Sequence, residues 1–326
     1  MTFESNTQPK VGVIGAGTWG RNIIRNFAAL GALGAVAERV PALREGVATD
    51  HPDVPIFTDH QDLIRSDIDA VAVATPVPSH HAVARDALLA GKDVFVEKPL
   101  AFTVAEAEDL VGLAEERGRV LMVGHLLLYE PAIAFVKDFL AAGRIGRVFS
   151  LHQERAKLGR VRVAENALWS LGVHDVAVII DLVGEEVADV AFSSHCCLRS
   201  EVADDTYLHL AFPSGISAHV HSSWLWPEDR RRLTVVGEAG MLVYEEAEQR
   251  VTLHHKTVDG ALQHHDNGSE TVFTGSGSGQ LLRLELEHFL ECIVSRAVPR
   301  TSGLDGLAVV RVLEAAGAGY LEPVLT

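Results

Sequence analysis

The sequence predicts an α/β protein in two parts. An N-terminal doubly wound parallel sheet is followed by an α+β part with a large open, mainly antiparallel sheet. Three observations carry this. Up to about residue 125, short β-branched runs alternate with amphipathic stretches, the pattern of parallel strands joined by crossover helices. A glycine-rich turn, Gly15-Ala-Gly17-Thr18-Trp19-Gly20, directly follows the first of those runs. Beyond residue 147, alternating strand patterns follow one another at short spacing, as in an antiparallel sheet. The length of 326 residues fits two domains, read as 1–125 and 126–326.

The first part reads strand by strand. Lys10 to Ile14 is a buried-strand run, and a helix pattern follows from about Trp19 to Leu30. Gly34 to Ala37 is the second strand, Leu43 to Ala48 lies in a short helix, and Pro55 to Phe57 is the third strand. Asp59 caps another short helix, and the fourth strand, Ala70 to Ala74, stops at Thr75-Pro76. Ser79 to Ala90 is a helix closed by Gly91, and Asp93 to Val96 is the fifth strand. Thr103 and Glu106 form a capping box for a helix that closes at Gly118. Val120 to Val123 completes six strands.

The second part opens with a helix, Pro131 to Ala142. Strands are expected at Val187 to Ser194, Tyr207 to Phe212, Ser217 to Ser223, Arg232 to Val236, Gly240 to Tyr244 and Val251 to His254. A helix from about Ala177 to Leu182 precedes them, and two more, about Gln280 to Ser295 and Leu304 to Gly317, end the chain. Gly275-Ser-Gly-Ser-Gly279 reads as a flexible loop. Trp224-Leu-Trp226 reads as sheet or interface surface, on a strand that also carries His219 and His221.

Composition excludes several classes. Lys+Arg is 28 against 44 Asp+Glu, a net charge of −16, so phosphate backbones and anionic membranes are poor partners. Three cysteines, Cys196, Cys197 and Cys292, show no zinc spacing or disulfide framework. The N-terminus has no basic region followed by an apolar stretch, and no apolar run approaches a membrane span. The expected chain is soluble and cytoplasmic. The pairs His80-His81, His254-His255 and His264-His265 are not read as metal sites, because adjacent strand side chains point apart and no Cys or acidic cluster completes a set.

The glycine turn carries the first chemistry. Gly15 permits the tight turn, Gly17 lets the backbone approach a pyrophosphate, and Gly20 lets helix and strand pack closely, as in the Rossmann fingerprint. Helix-start amides attract the phosphates. Glu38 ends the second strand 23 residues after Gly15, where an acid accepts hydrogen bonds from the adenosine ribose. Its charge opposes the extra phosphate of NADP, so NAD is the favoured cofactor. Arg39 is either a grip for that phosphate, a cation over adenine or a solvated turn residue.

Glu97-Lys98-Pro99 ends the fifth strand, where open α/β sheets bind ligands. With the glycine turn, Ala74-Thr75-Pro76, Gly91-Lys-Asp-Val-Phe-Val-Glu97-Lys98-Pro99-Leu100 and Val173-His174-Asp175, the chain resembles the glucose–fructose oxidoreductase / inositol dehydrogenase / rhizopine catabolism family (Gfo/Idh/MocA), from about Lys10 to Tyr320. The resemblance implies a Rossmann domain, a C-terminal sheet that is commonly the oligomer interface, and a cis peptide at Pro99. It implies that Lys98 sits at the nicotinamide and the reacting hydroxyl, and that His174 matches an acid/base His. Many members carry Asp or Asn four residues earlier, where this chain has Ser170. A narrower resemblance, through Gly124-His125-Leu-Leu-Leu-Tyr129-Glu-Pro131, Gly159-Arg160, Glu165-Asn166-Ala-Leu-Trp169 and Arg231-Arg232-Leu-Thr-Val-Val-Gly237, is to the UDP-N-acetylglucosamine 3-dehydrogenase-type branch, which oxidises a ring hydroxyl to a ketone.

The expected site is therefore Lys98 and His174 for catalysis. Gly15, Gly17, Thr18, Trp19, Gly20, Glu38, Arg39, Thr75, Pro76, His80, Glu97 and Lys98 are expected around the dinucleotide. Tyr129, His125, Arg160, Asp175 and Trp169 are expected around a sugar. His174 suits proton transfer, and Lys98 either steadies the oxygen or shuttles the proton. Asp175 orients His174 or complements the helix start. Tyr129 and His125 touch the sugar or pack under the crossover. Arg160 and Arg162 hold a diphosphate or lie in solvent. The reading is an NAD-dependent sugar dehydrogenase acting on CH–OH, a homodimer or homotetramer through its second sheet. Its rivals are an NAD-assisted glycoside hydrolase of the same fold and a non-catalytic dinucleotide sensor.

Overall fold

The first strand, β1 (Val11–Ile14), is apolar and buried at every position, as expected of a strand covered on both faces. It belongs to a computed structural model that describes residues 8–162, 165–275 and 279–317. The N-terminal seven residues, the centre of the Gly275–Gly279 loop and the end of the chain toward Tyr320 lie outside the described residues. The chain divides into two units, Met1–Leu126 with Gln280–Val310 and Leu127–Gly279 with Arg311–Thr326.

In the first unit, β1 is joined by β2 (Leu33–Ala37), β3 (Ile56–Phe57), β4 (Ala70–Val73), β5 (Asp93–Glu97) and β6 (Leu121–Gly124) in the order β3-β2-β1-β4-β5-β6. All pairs are parallel. The crossovers are α1 (Gly20–Ala29), α2 (Pro41–Asp50), α3 (His60–Ile64), α4 (His80–Leu89) and α5 (Val104–Arg117). Helix α1 buries Ile23, Ile24 and Phe27, one stripe at helical spacing. Both bonds of the Thr103–Glu106 capping box form, and Gly118 ends α5 in the left-handed region. Such caps are worth about 1 kcal/mol each.

Helix α8 (Leu281–Ser295) also packs in this unit. The Phe289 ring lies 5.8 Å from that of Phe95. After α8, Arg296 donates to Asp93 at 2.7 Å and to the Gly118 carbonyl at 2.6 Å. Leu307 and Val310 of α9 (Gly303–Ala315) join the core formed by Val71, Val94, Leu110 and Val123.

The second unit is a mixed sheet with helices on one face. After α6 (Pro131–Ala141) come β7 (Val148–Leu158), a π-helical turn at Leu168–Gly172, and α7 (Val173–Val183). The strands β8 (Asp189–His195), β9 (Asp205–Ala211), β10 (Ser217–Ser223), β11 (Leu225–Gly237), β12 (Gly240–Glu245), β13 (Arg250–Val258) and β14 (His264–Thr274) complete it. The order is β14-β13-β12-β11-β7-β10-β9-β8. Neighbours are antiparallel except β7 and β10, which run parallel. Leu151, Leu208, Val220, Leu233, Leu242 and Leu253 are buried on the helix side. Alternate positions form the opposite face with His152, Tyr207, His209, His219 and His221, where Tyr207 stacks on His221 at 4.4 Å between ring centroids.

Three expectations change. Strand β14 carries no sequence expectation, and it is a full partner of β13. Helix α7 starts at Val173, four residues before the expected Ala177. Trp224 is not surface: β10 ends at Ser223, so the indole leaves the strand alternation, is 2% exposed, and donates to Asp204 Oδ1 at 2.6 Å. No helix among the described residues is long and apolar enough to cross a membrane. No group of three or more His, Cys, Asp or Glu there is placed to hold a metal ion.

Candidate active site

In the first unit the candidate residues gather at the carboxyl ends of β1, β2, β4, β5 and β6. Gly15 has φ +97°, and a Cβ there would lie 2.7 Å from the Ala74 carbonyl oxygen. A Cβ on Gly20 would lie 2.0 Å from the Gly15 carbonyl oxygen. Those two glycines are required by the protein itself. Gly17 differs, because a Cβ there would meet nothing within 4 Å. Its freedom from side-chain bulk is of use to a ligand, which fits the cradle a pyrophosphate needs. Thr18 and Trp19 are exposed beside it, and the Trp19 indole N–H donates to Glu97 Oε1.

Glu38 is 8% exposed. Its Oε2 accepts from the Ala16 amide at 2.7 Å and its Oε1 from the Val40 amide at 2.8 Å. The carboxylate thus braces the glycine turn, and each oxygen keeps a further lone pair for a ribose hydroxyl. Arg39 is exposed, and its carbonyl accepts from Arg44 at 2.7 Å.

After β4, Thr75 is half-buried and Pro76 exposed. His80, 1% exposed, places Nε2 at 2.8 Å from the Thr75 carbonyl and Nδ1 at 2.9 Å from the Pro99 carbonyl. It joins the loop after β4 to the loop after β5. The Lys98–Pro99 peptide is cis, and Lys98 is half-buried. Burial pushes the Glu97 carboxyl up to about 7, against the Trp19 hydrogen bond and the Lys98 charge.

His125 is 1% exposed, and neither ring nitrogen has a hydrogen-bond partner among the described residues. Burial, aided by the Lys98 charge, pushes it down to about 3, so the imidazole is neutral. Sequence reasoning missed Glu285 on α8. It is 1% exposed, both its oxygens lack a partner among the described residues, and burial together with Glu97 holds it protonated well above the ordinary carboxyl range. Within an amphipathic helix, its acid reads like any solvated one.

The second unit holds the other candidates. His174 stands half-buried in the first turn of α7, directly after the π-helical turn. Trp169 and Ser170, within that turn, are 3% and 8% exposed, and Asn166 Oδ1 accepts from the Trp169 amide at 3.0 Å. Tyr129 is buried, whereas Arg160 is exposed beyond β7. Asp175 is fully buried and accepts from Gln153 at 2.9 Å and from Arg155 Nε at 2.9 and 3.0 Å. Its carboxylate is spent on β7, a role the sequence reading did not contain. Neither Gln153 nor Arg155 announces itself, since their partner lies some 20 residues on.

Comparison with known proteins agrees with this architecture. Residues 9–125 match the GFO_IDH_MocA model, an oxidoreductase family with an NAD-binding Rossmann fold, and residues 133–243 match the GFO/IDH/MocA C-terminal domain. The UDP-N-acetylglucosamine 3-dehydrogenase of Acidithiobacillus ferrooxidans is 28% identical over 316 residues, covering 94% of this chain and 95% of that protein. Its solved structure superposes with a TM-score of 0.83 at 26% identity, over 95% of this chain and 97% of that one. An oxidoreductase from Magnetospirillum magnetotacticum is 31% identical, with a TM-score of 0.81 over 95% of this chain and 99% of that one. An inositol 2-dehydrogenase of Saccharopolyspora erythraea is 32% identical over 223 residues, 64% of this chain and 65% of that protein. With matching sequence models in both halves and the same fold, the chain belongs to the Gfo/Idh/MocA family of NAD-binding oxidoreductases.

Proposed function

We propose that this enzyme oxidises a ring hydroxyl of a sugar, a nucleotide sugar such as a UDP-hexose, to a ketone with NAD as oxidant. The observation that carries the reading is the glycine turn, in which Gly15 and Gly20 serve the fold while Gly17 is left open for a ligand. Bound nicotinamide supplies the hydride acceptor. The amides around Gly17 hold its pyrophosphate, and Glu38 holds the adenosine ribose. The negative charge of Glu38 favours NAD over NADP. Lys98 steadies the developing charge on the carbinol oxygen, and His174 takes its proton. Neutral His125 is offered as a hydrogen-bonding group beside Lys98 rather than as a proton carrier.

A nucleotide sugar is supported by the full-length similarity to a UDP-sugar dehydrogenase, with Arg160 as a candidate contact to the diphosphate. The histidine-rich sheet face of the second unit, which no helix among that unit's described residues covers, supports a homodimer or homotetramer.

The test is an absorbance screen at the NADH band, with NAD and NADP, against UDP-hexoses, free sugars and polyols. NADH should accumulate with a UDP-hexose, and Lys98→Ala and His174→Ala should each lower kcat by about 100-fold or more. Product formation without NADH accumulation would point instead to oxidation followed by internal re-reduction. Unchanged turnover in Lys98→Ala would remove the mechanism.

A further inference from the structure

The inference concerns how His174 is aimed, and it rests on the proton-transfer role just proposed. Helix α7 continues directly from the π-helical turn, with no side-chain cap at Gly172, and one side-chain network fastens its first turn to the sheet. The contact is a run of alternating charges. Asp175 takes two bonds from Arg155 Nε, at 2.9 and 3.0 Å, and one from Gln153 at 2.9 Å. Arg155 Nη2 donates to Glu246 Oε2 at 3.0 Å, and Arg231 Nη1 donates to Glu246 Oε1 at 3.0 Å. Arg231 ends the run on Asp229 at 3.2 Å.

The register explains why the run exists. Arg155 of β7 lies directly opposite Arg231 of β11, and like charges facing across strands repel. Glu246, in the turn after β12, sits between them with one oxygen for each. Burial pushes the Glu246 carboxyl up, but the two arginines outweigh it and keep it ionised. Arg155 is 8% exposed and Asp175 is 0% exposed, so this is a desolvated network in which a lost partner is felt strongly. Close packing helps: a Cβ on Gly172 would lie 2.6 Å from Ser222 Oγ of β10. The missing side chain thus lets the turn lie close against the sheet, and the Asp175 bonds fix the helix rotation.

We infer that Arg155 is a positioning residue for His174: by gripping Asp175 it sets the rotation of α7 against β7, and so the direction in which the neighbouring imidazole is presented. Asp175 is the lever and Glu246 keeps Arg155 in place. Burial raises Asp175 to about 6 against the pull of Arg155 and Gln153, with Glu246 adding to the rise. The grip on Asp175 therefore weakens as the pH falls through that value.

The test uses the full chain labelled with 15N-histidine, the His174 ring signals being assigned by their loss in His174→Gln. In Arg155→Lys and Asp175→Asn the His174 titration midpoint should move by about half a pH unit or more. With the sugar that passes the screen above, kcat should fall by about 100-fold while KM stays within about threefold, the signature of a misplaced group. Where a single variant does not fold, Arg155→Met/Asp175→Asn removes both charges together and should show the same two changes. Folded variants whose His174 signals and titration superimpose on the parent would overturn the inference. Full turnover in His174→Ala would instead overturn the proton-transfer reading, and the ring signals would still decide the positioning claim.

Discussion

Replacing Gly17 by alanine separates ligand binding from folding. The backbone at Gly17 does not have the positive φ that restricts Gly15, and the new methyl would meet no protein atom within 4 Å. The folded chain should tolerate it. Loss of backbone freedom in the unfolded state should even add about 0.4–1 kcal/mol of stability. The dinucleotide should not tolerate it, because the methyl stands where the pyrophosphate approaches the amides. Two hydrogen bonds to a charged group, at about 1.5–3 kcal/mol each, are then lost or lengthened. A loss of about 3 kcal/mol weakens binding on the order of 100-fold. The assay is NADH titration by calorimetry beside a thermal melt, with Gly20→Ala as contrast. Its Cβ would lie 2.0 Å from the Gly15 carbonyl oxygen, so Gly20→Ala should lower both Tm and affinity. If Gly17→Ala bound NADH within threefold of the parent, the pyrophosphate would not lie on that turn, and the cofactor assignment built on it would fall.

Two further predictions concern buried acids. Glu38→Ala removes the acceptor of the Ala16 and Val40 amides, so it should cost about 1–3 kcal/mol in urea unfolding. It should also narrow the NADH-over-NADPH preference; an unchanged preference would show that Glu38 serves only the loop. Glu285 has a raised carboxyl pKa against an ordinary 4.5. The folded chain therefore keeps a proton that the unfolded chain has released, and stability declines as pH rises above the ordinary value. Glu285→Gln removes that decline. Its Tm relative to the parent should be higher at about pH 8 than at about pH 5, and a difference independent of pH would refute the assignment.

Much of the first unit is legible because its strands are covered on both faces. Such strands must be apolar throughout, so β1 and β4 stand out as unbroken runs, and local chemistry at Thr103, Glu106 and Gly118 marks the helix ends. The glycine turn is legible because two of its three glycines are demanded by backbone crowding alone. Strand β14 is illegible for the opposite reason. Residues 264–271 are exposed, so no period of two appears, and pairing with β13 decides the conformation. The start of α7 is blurred because the stretch from Leu168 to Ile179 is buried almost throughout, leaving no contrast between its faces. The charge run from Asp175 to Arg231 depends on register between β7 and β11, which no local pattern encodes.

The loops of the first unit are tied to one another, and that has a consequence for Lys98. Trp19, beside the glycine turn, donates to Glu97 on one side of Lys98. On the other side His80 bridges the Thr75 and Pro99 carbonyls. A neutral imidazole has one N–H for those two carbonyls. Burial favours the neutral form, while both carbonyls and the neighbouring Glu106 favour the charged one. Burial, with the Lys98 charge, outweighs them and lowers the His80 pKa from its ordinary value. Glu97, raised to about 7, stands near its own titration at neutral pH. Lys98 is thus held between two groups whose titration burial shifts, and one of them, Glu97, is bonded to Trp19 of the glycine turn. Under the proposed function, a dinucleotide that moved Trp19 would pull on Glu97, and through it on the backbone that carries Lys98. On that reading, seating a dinucleotide on the glycine turn and directing Lys98 are coupled through the Trp19–Glu97 bond.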